Sequence, residues 1–183
     1  MQAFLRRFFL VPEIWRRRRD GAVAVEFALV ALPFFMLVIG LLEVSLMYAA
    51  SVVLEGGTVT AARVIRTGQA QQSADPEETF RSLLCENVHS LIPCENLVYE
   101  VIHPPGNTFE DAADYEPQYD KDGNLKPQGF DAGGSSDVIL IRTSYRYHFI
   151  MPFMGKLLSS ASDMGVTLVS TITLRSEPYE FND

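Results

Sequence analysis

Hydrophobic and polar positions fall into distinct regimes along the chain. Between Ala22 and Leu54 only Glu26 and Glu43 are charged, and Phe27–Leu42 carries no charge at all. A helix over Ala22–Leu42 extends roughly 32 Å, which matches a bilayer hydrocarbon core of about 30 Å. The stretch is therefore read as a membrane span. Helical spacing continues through Tyr48, Val52, Leu54, Val59, Ala62 and Ile65. Arg63 and Arg66 complement the negative end of a helix, and Gly68 suits the position just past the last turn. The pattern predicts one long stem, 22–68, with two interruptions. One is at Pro33, which removes a backbone hydrogen bond, and the other is at Gly56-Gly57, which can bend the helix where it leaves the bilayer.

Beyond Gly68 the texture changes to that of a small domain, 69–183. A polar linker, Gln69–Ala74, leads to a second helix with Asp75 as N-cap, Pro76 in the first turn and Glu77 and Glu78 at its positive end. Phe80, Leu83, Leu84, Val88 and Leu91 make its apolar face, and Pro93 ends it. Three strands are predicted at Leu97–Ile102, Val138–Phe149 and Val166–Arg175. In the second, Ile139, Ile141, Thr143, Tyr145, Tyr147 and Phe149 alternate with Val138, Leu140, Arg142, Ser144, Arg146 and His148, the period of a half-buried strand. A helix on an antiparallel sheet gives an α+β fold carried on a long N-terminal transmembrane helix. Between the first two strands lies an acidic loop, 103–136. Its rings Phe109, Tyr115, Tyr119 and Phe130 suit a partner subunit, or equally a solvated excursion held by a few anchors.

Charge orients this layout. Met1–Gly21 holds six arginines against Glu13 and Asp20, a net +4, whereas the rest of the chain carries nine basic and twenty-one acidic residues. The positive-inside rule places the N-terminus in the cytoplasm, and the acidic domain then faces the periplasm or the exterior. So acidic a surface disfavours nucleic acid. A secretory signal peptide fits less well, because its apolar run is shorter and a small-residue site follows it, while Ala22-Val23-Ala24 precedes the run here.

Cys85 and Cys94 both fall on the oxidising side, where a disulfide is expected; buried thiols and a metal site are the rivals, with only His89 near as a further ligand. Asp120–Asn124 has Gly123 too early for a calcium loop and reads as a turn. No catalytic, cofactor or metal motif is apparent. His89 is placed beside the core face of its helix, His103 before a Pro-rich turn, and His148 on a strand face with Arg146. Ala24, Ala28 and Ala31 line one side of the span, compatible with helix association and equally with simple alanine richness.

Glu26 stands out, because a carboxylate at the bilayer centre costs about 2.5 to 3.5 kcal/mol and usually has a partner. Cleavage after Gly21 would give Ala22 an ammonium able to pair with Glu26 on the same or a neighbouring subunit. The alternative is a Glu resting at the headgroup boundary.

The text Gly21-Ala22-Val23-Ala24-Val25-Glu26-Phe27 resembles type IV pilins and pseudopilins, whose leader ends in Gly before a hydrophobic helix with Glu at its fifth position. Together with Ala28–Leu46, Arg63–Gly68 and the ending Val166-Thr167-Leu168 to Leu174-Arg175-Ser176-Glu177-Pro178, it is similar to the TadE-like subunits of tight-adherence pili. The resemblance implies a basic leader, 1–21, removed by an aspartyl prepilin peptidase between Gly21 and Ala22, and Glu26 as the assembly carboxylate. It also implies partners among other pilin or pseudopilin subunits and an inner-membrane assembly platform. Asp20 is acidic where many pilin leaders are basic, and Ala22 replaces the bulkier residue often methylated in true pilins. Two functions remain: a non-enzymatic pseudopilin or minor pilin, or an uncleaved bitopic envelope protein whose domain binds a partner.

Overall fold

In the computed structural model, residues 21–159 and 164–179 are described, and the chain divides into two compact units at Leu42/Glu43. The first element, α1, is one helix of 45 residues, Ala22–Arg66. It runs through Pro33 and Gly56-Gly57 without ending, contrary to the interruptions expected there. At Gly57 the reason is packing: a Cβ would strike Val88 Cγ1, so this glycine admits a second helix rather than loosening the first. At Pro33 the other backbone bonds of a long helix carry the element past one missing donor.

The end of α1 is as the sequence indicates. Gly68 adopts φ 76 and its N–H donates to the Ile65 carbonyl at 3.2 Å, a left-handed cap. The Tyr179 ring lies where a Gly68 Cβ would be, 2.7 Å from its nearest atom, so the position excludes side chains twice over. A single helical turn, Gln69–Gln72, occupies part of the expected linker. Helix α2 spans Pro76–Val88, and Asp75 accepts from the Glu78 N–H at 3.0 Å. It stops earlier than Pro93, because the Leu91 and Ile92 amides both turn back to the Val88 carbonyl, at 3.1 and 2.9 Å. That tight turn buries Ile92 and leaves Leu91 exposed, reversing the expected role of Leu91. His89 is also exposed rather than beside the core.

Strands β1 (Leu97–Ile102), β2 (Val138–His148) and β3 (Gly165–Arg175) form an antiparallel sheet in the order β1-β2-β3. Val101 faces Ile141, and Ile141 faces Ile172, so one register aligns the apolar rows. This face covers Leu54, Ala61, Ile65, Phe80, Leu84 and Val88 of the two helices. Removing a side chain of this size from water stabilises by about 1.5 to 3 kcal/mol before entropy is counted. At the centre of the seam the buried hydroxyls of Thr58 and Thr143 lie 2.5 Å apart, and Thr58 donates to the Leu54 carbonyl at 2.7 Å.

The opposite face of the sheet is covered as well. Helix α3, Phe109–Asp114, sets Ala112 against Ile102, Val138 and Leu140. Val138–Ser144 is therefore buried on both faces, where alternation alone implied one. The 103–136 segment is accordingly anchored. Phe130 stacks against Phe80 and Tyr99, with centroids 5.8 and 6.5 Å apart, and the Val101 and Asp131 amides link β1 to this segment. Asp120–Asn124 is a turn: Asp120 accepts from the Asp122 and Asn124 amides at 2.9 and 2.8 Å and from the Asn124 side chain at 2.9 Å. These bonds, led by the Asn124 side chain, hold the Asp120 carboxyl below its usual range.

Candidate functional site

The first unit is built around an apolar surface. Gly21 immediately precedes α1, Ala22 is the first helical residue, and Glu26 lies about one turn further along. Val23, Phe27, Leu29, Val30 and Leu37 are all more than three-fifths exposed. Glu26 is exposed among them and has no hydrogen-bond or ion-pair partner among the described residues. Monomeric soluble proteins rarely leave so extended an apolar surface uncovered. Among the described residues, α1 is the one helix long and apolar enough to cross a membrane by length and composition. The positions Met1–Asp20, including the arginines of the expected leader, lie outside the described residues.

The second unit begins at Glu43, whose carboxylate is buried. It accepts hydrogen bonds from the backbone amides of Ile150 and Met151, the latter at 3.1 Å from Oε1. Two converging N–H groups are what a buried carboxylate needs in place of water. Burial first, and then the charge of Glu43, raise the Tyr147 phenol pKa, and the Tyr147 ring meets Phe149 edge-on at 5.5 Å.

Cys85 and Cys94 are joined in a disulfide with Cα atoms 5.5 Å apart, tying the last turn of α2 to the segment before β1. Across the sheet, Arg142 donates from Nη1 to Glu100 Oε1, and from Nη2 to the Tyr115 carbonyl at 3.0 Å. Glu100 Oε2 accepts from the Gln128 amide at 3.0 Å, and both charged side chains are almost completely buried. This pair fastens the 103–136 segment to the outer sheet face. On the inner face, burial and the hydrogen bond from Tyr99 to Glu77, 3.1 Å long, push the Tyr99 phenol up to about 12.

Among the described residues no cluster of three or more His, Cys, Asp or Glu is arranged to hold a metal. His103 faces Asp137 at 3.8 Å, and His89 Nδ1 sits 2.6 Å from the Glu86 carbonyl oxygen, local contacts at two ends of the fold. Gly21, Ala22 and Glu26 share one helical start, while Cys85 and Cys94 belong to the separate second unit. The roles of Glu43, Glu100 and Arg142 escaped the sequence reading. A signal for Glu43 existed in its place as the first charge after sixteen uncharged residues.

The family model described as TadE-like protein matches residues 21–63. The match opens at Gly21 and covers most of α1, in keeping with the resemblance drawn from Gly21–Phe27 and the apolar run behind it. No curated protein and no solved structure matches the chain.

Proposed function

We propose that this chain is a structural pseudopilin or minor pilin of a tight-adherence pilus, without enzymatic activity of its own. It is made with a basic leader, 1–21, which a prepilin peptidase removes after Gly21. It is held in the inner membrane by the first part of α1, with its leader in the cytoplasm and the 43–179 unit in the periplasm, and it joins other pilin or pseudopilin subunits and their membrane assembly platform. The observation that carries this reading is the conjunction at the start of α1. A family match beginning at Gly21, an exposed apolar run behind it and, one turn in, a Glu26 with no partner among the described residues all fall on one short segment. A new ammonium at Ala22 supplies the charge that Glu26 lacks, within a subunit or between neighbours.

Intact-mass measurement of the protein extracted from cells with an active prepilin peptidase tests the reading. The expected species begins at Ala22, and Gly21→Leu blocks its formation. Glu26→Ala is expected to leave membrane insertion intact while reducing incorporation into assemblies. A chain that keeps its leader under these conditions favours the second reading, an uncleaved bitopic protein whose domain binds a partner.

A further inference from the structure

A second apolar surface lies in the 43–179 unit. Helix α4, Pro152–Leu158, follows β2, and around it Ile150 is 81%, Phe153 61% and Leu157 66% exposed. Phe153 and Leu157 are four residues apart and share a helix face. The other side is committed inward, because Gly155 is buried and a Cβ there would lie 2.5 Å from the Met164 Cβ. These exposed side chains belong to neither core cluster.

Two independent observations say what covers them. First, the segment is pinned by the Ile150 and Met151 amides to Glu43, the residue that directly follows the uncharged run Phe27–Leu42. Whatever surrounds the C-terminal end of that run in a bilayer is within reach of α4. Second, the charge is locally inverted. No acid occurs between Asp137 and Asp163, although the chain as a whole carries twenty-three acids against fifteen bases. Lys156 lies beside Leu157 on α4, placed to extend its ammonium to lipid phosphates while its stem stays apolar. Apolar side chains on one helix face, a lysine at its border and no acid are the features of a helix lying in a membrane interface.

We propose that Ile150–Leu158 is a membrane foot, a short amphipathic segment that Glu43 holds against the outer surface of the bilayer spanned by α1, with Ile150, Phe153 and Leu157 entering the lipid and Lys156 meeting its phosphates. It gives the domain a second, shallow hold on the membrane beside its covalent one. The proposal rests on the anchoring part of the proposed function.

The test uses the full chain, disulfide intact, in vesicles of phosphatidylethanolamine and phosphatidylglycerol. An environment-sensitive fluorophore is attached to one new cysteine at a time, in Leu37→Cys, Phe153→Cys and Lys121→Cys. Quenching by lipids brominated along the acyl chain is expected to be strong at Leu37, several-fold above the Lys121 level at Phe153, and lost from Phe153 when Leu157→Asp is added. Quenching at Leu37 with Phe153 at the Lys121 level overturns the foot and leaves the anchor standing. A blue-shifted Phe153 probe that bromolipid does not quench assigns the surface to a second copy, and also overturns it. A Leu37 probe at the Lys121 level removes the anchor and the foot together.

Discussion

Leu37 and Leu54 lie on the same helix, yet one is 62% exposed and the other 1%. From Phe27 to Leu42 the helix is apolar on every side. From Glu43 to Arg66 it has one buried stripe, Ala50, Leu54, Ala61, Ala62 and Ile65, and a mixed exposed side on which Glu55, Thr60, Arg63 and Arg66 stand among Leu46, Tyr48, Val52 and Val59. An all-round apolar helix asks for an all-round apolar medium, whereas a stripe asks for a sheet. Hydrophobic content alone does not separate the two halves; its distribution around the axis does. A small residue beside the stripe sharpens the contrast, since Gly57 lets α2 come close to the helix backbone.

The comparison breaks most severely through charge. Glu100→Ala leaves Arg142 buried without its counter-ion and removes the acceptor for the Gln128 amide, with an expected loss of about 3 to 5 kcal/mol from the 43–179 unit. All seven tyrosines lie beyond Leu42, so tyrosine circular dichroism during urea unfolding of the micelle-bound chain reports this unit alone. An unchanged midpoint would show that the 103–136 segment does not depend on the pair. Next in size is the same substitution made in both regions. Leu84→Ala is expected to cost about 2 to 5 kcal/mol by opening a cavity, and Leu37→Ala to move the same transition by less than about 0.5 kcal/mol. Equal shifts would mean that the two units unfold as one. Replacing Cys85 and Cys94 together by Ser is expected to cost about 2 to 3 kcal/mol through the freed unfolded chain, read from the same transition.

Much of this architecture was legible because it is written locally. The caps Asp75 and Gly68, the uncharged run and the alternation of β2 each act within a few residues, and the three strands fall within one residue of where the pattern puts them. The text Gly21 to Glu26, on which the family match opens, is equally local. What stayed hidden is non-local. Glu100 and Arg142 are forty-two residues apart in sequence and become neighbours only through the β1–β2 register. Glu43 meets Ile150 over a still longer separation, and the sequence pattern assigned no element to the stretch that forms α4. Leu91 and Ile92 exchanged roles because one turn closed on the Val88 carbonyl, a choice that helical periodicity cannot register.

The finest contrast within the second region is between two adjacent glycines. A Cβ at Gly56 meets nothing within 4 Å, so Gly56→Ala adds only the better helix propensity of alanine, a gain of about 0.5 to 1 kcal/mol. At Gly57 the same methyl runs into Val88 Cγ1 and touches Leu84 at 3.6 Å, in a core that is already full. Overpacking of this kind costs about 1 to 3 kcal/mol, which exceeds the propensity gain, so Gly57→Ala is expected to destabilise by about 1 to 2 kcal/mol. Opposite signs at neighbouring positions, read from tyrosine circular dichroism in urea, identify Gly57 as the place where α2 seats on α1. If both substitutions stabilise, the contact with Val88 yields freely and Gly57 is there for some reason other than close approach. If both destabilise, the helix needs backbone freedom at this point, and the hinge that the unbroken run of α1 argues against returns as the better explanation.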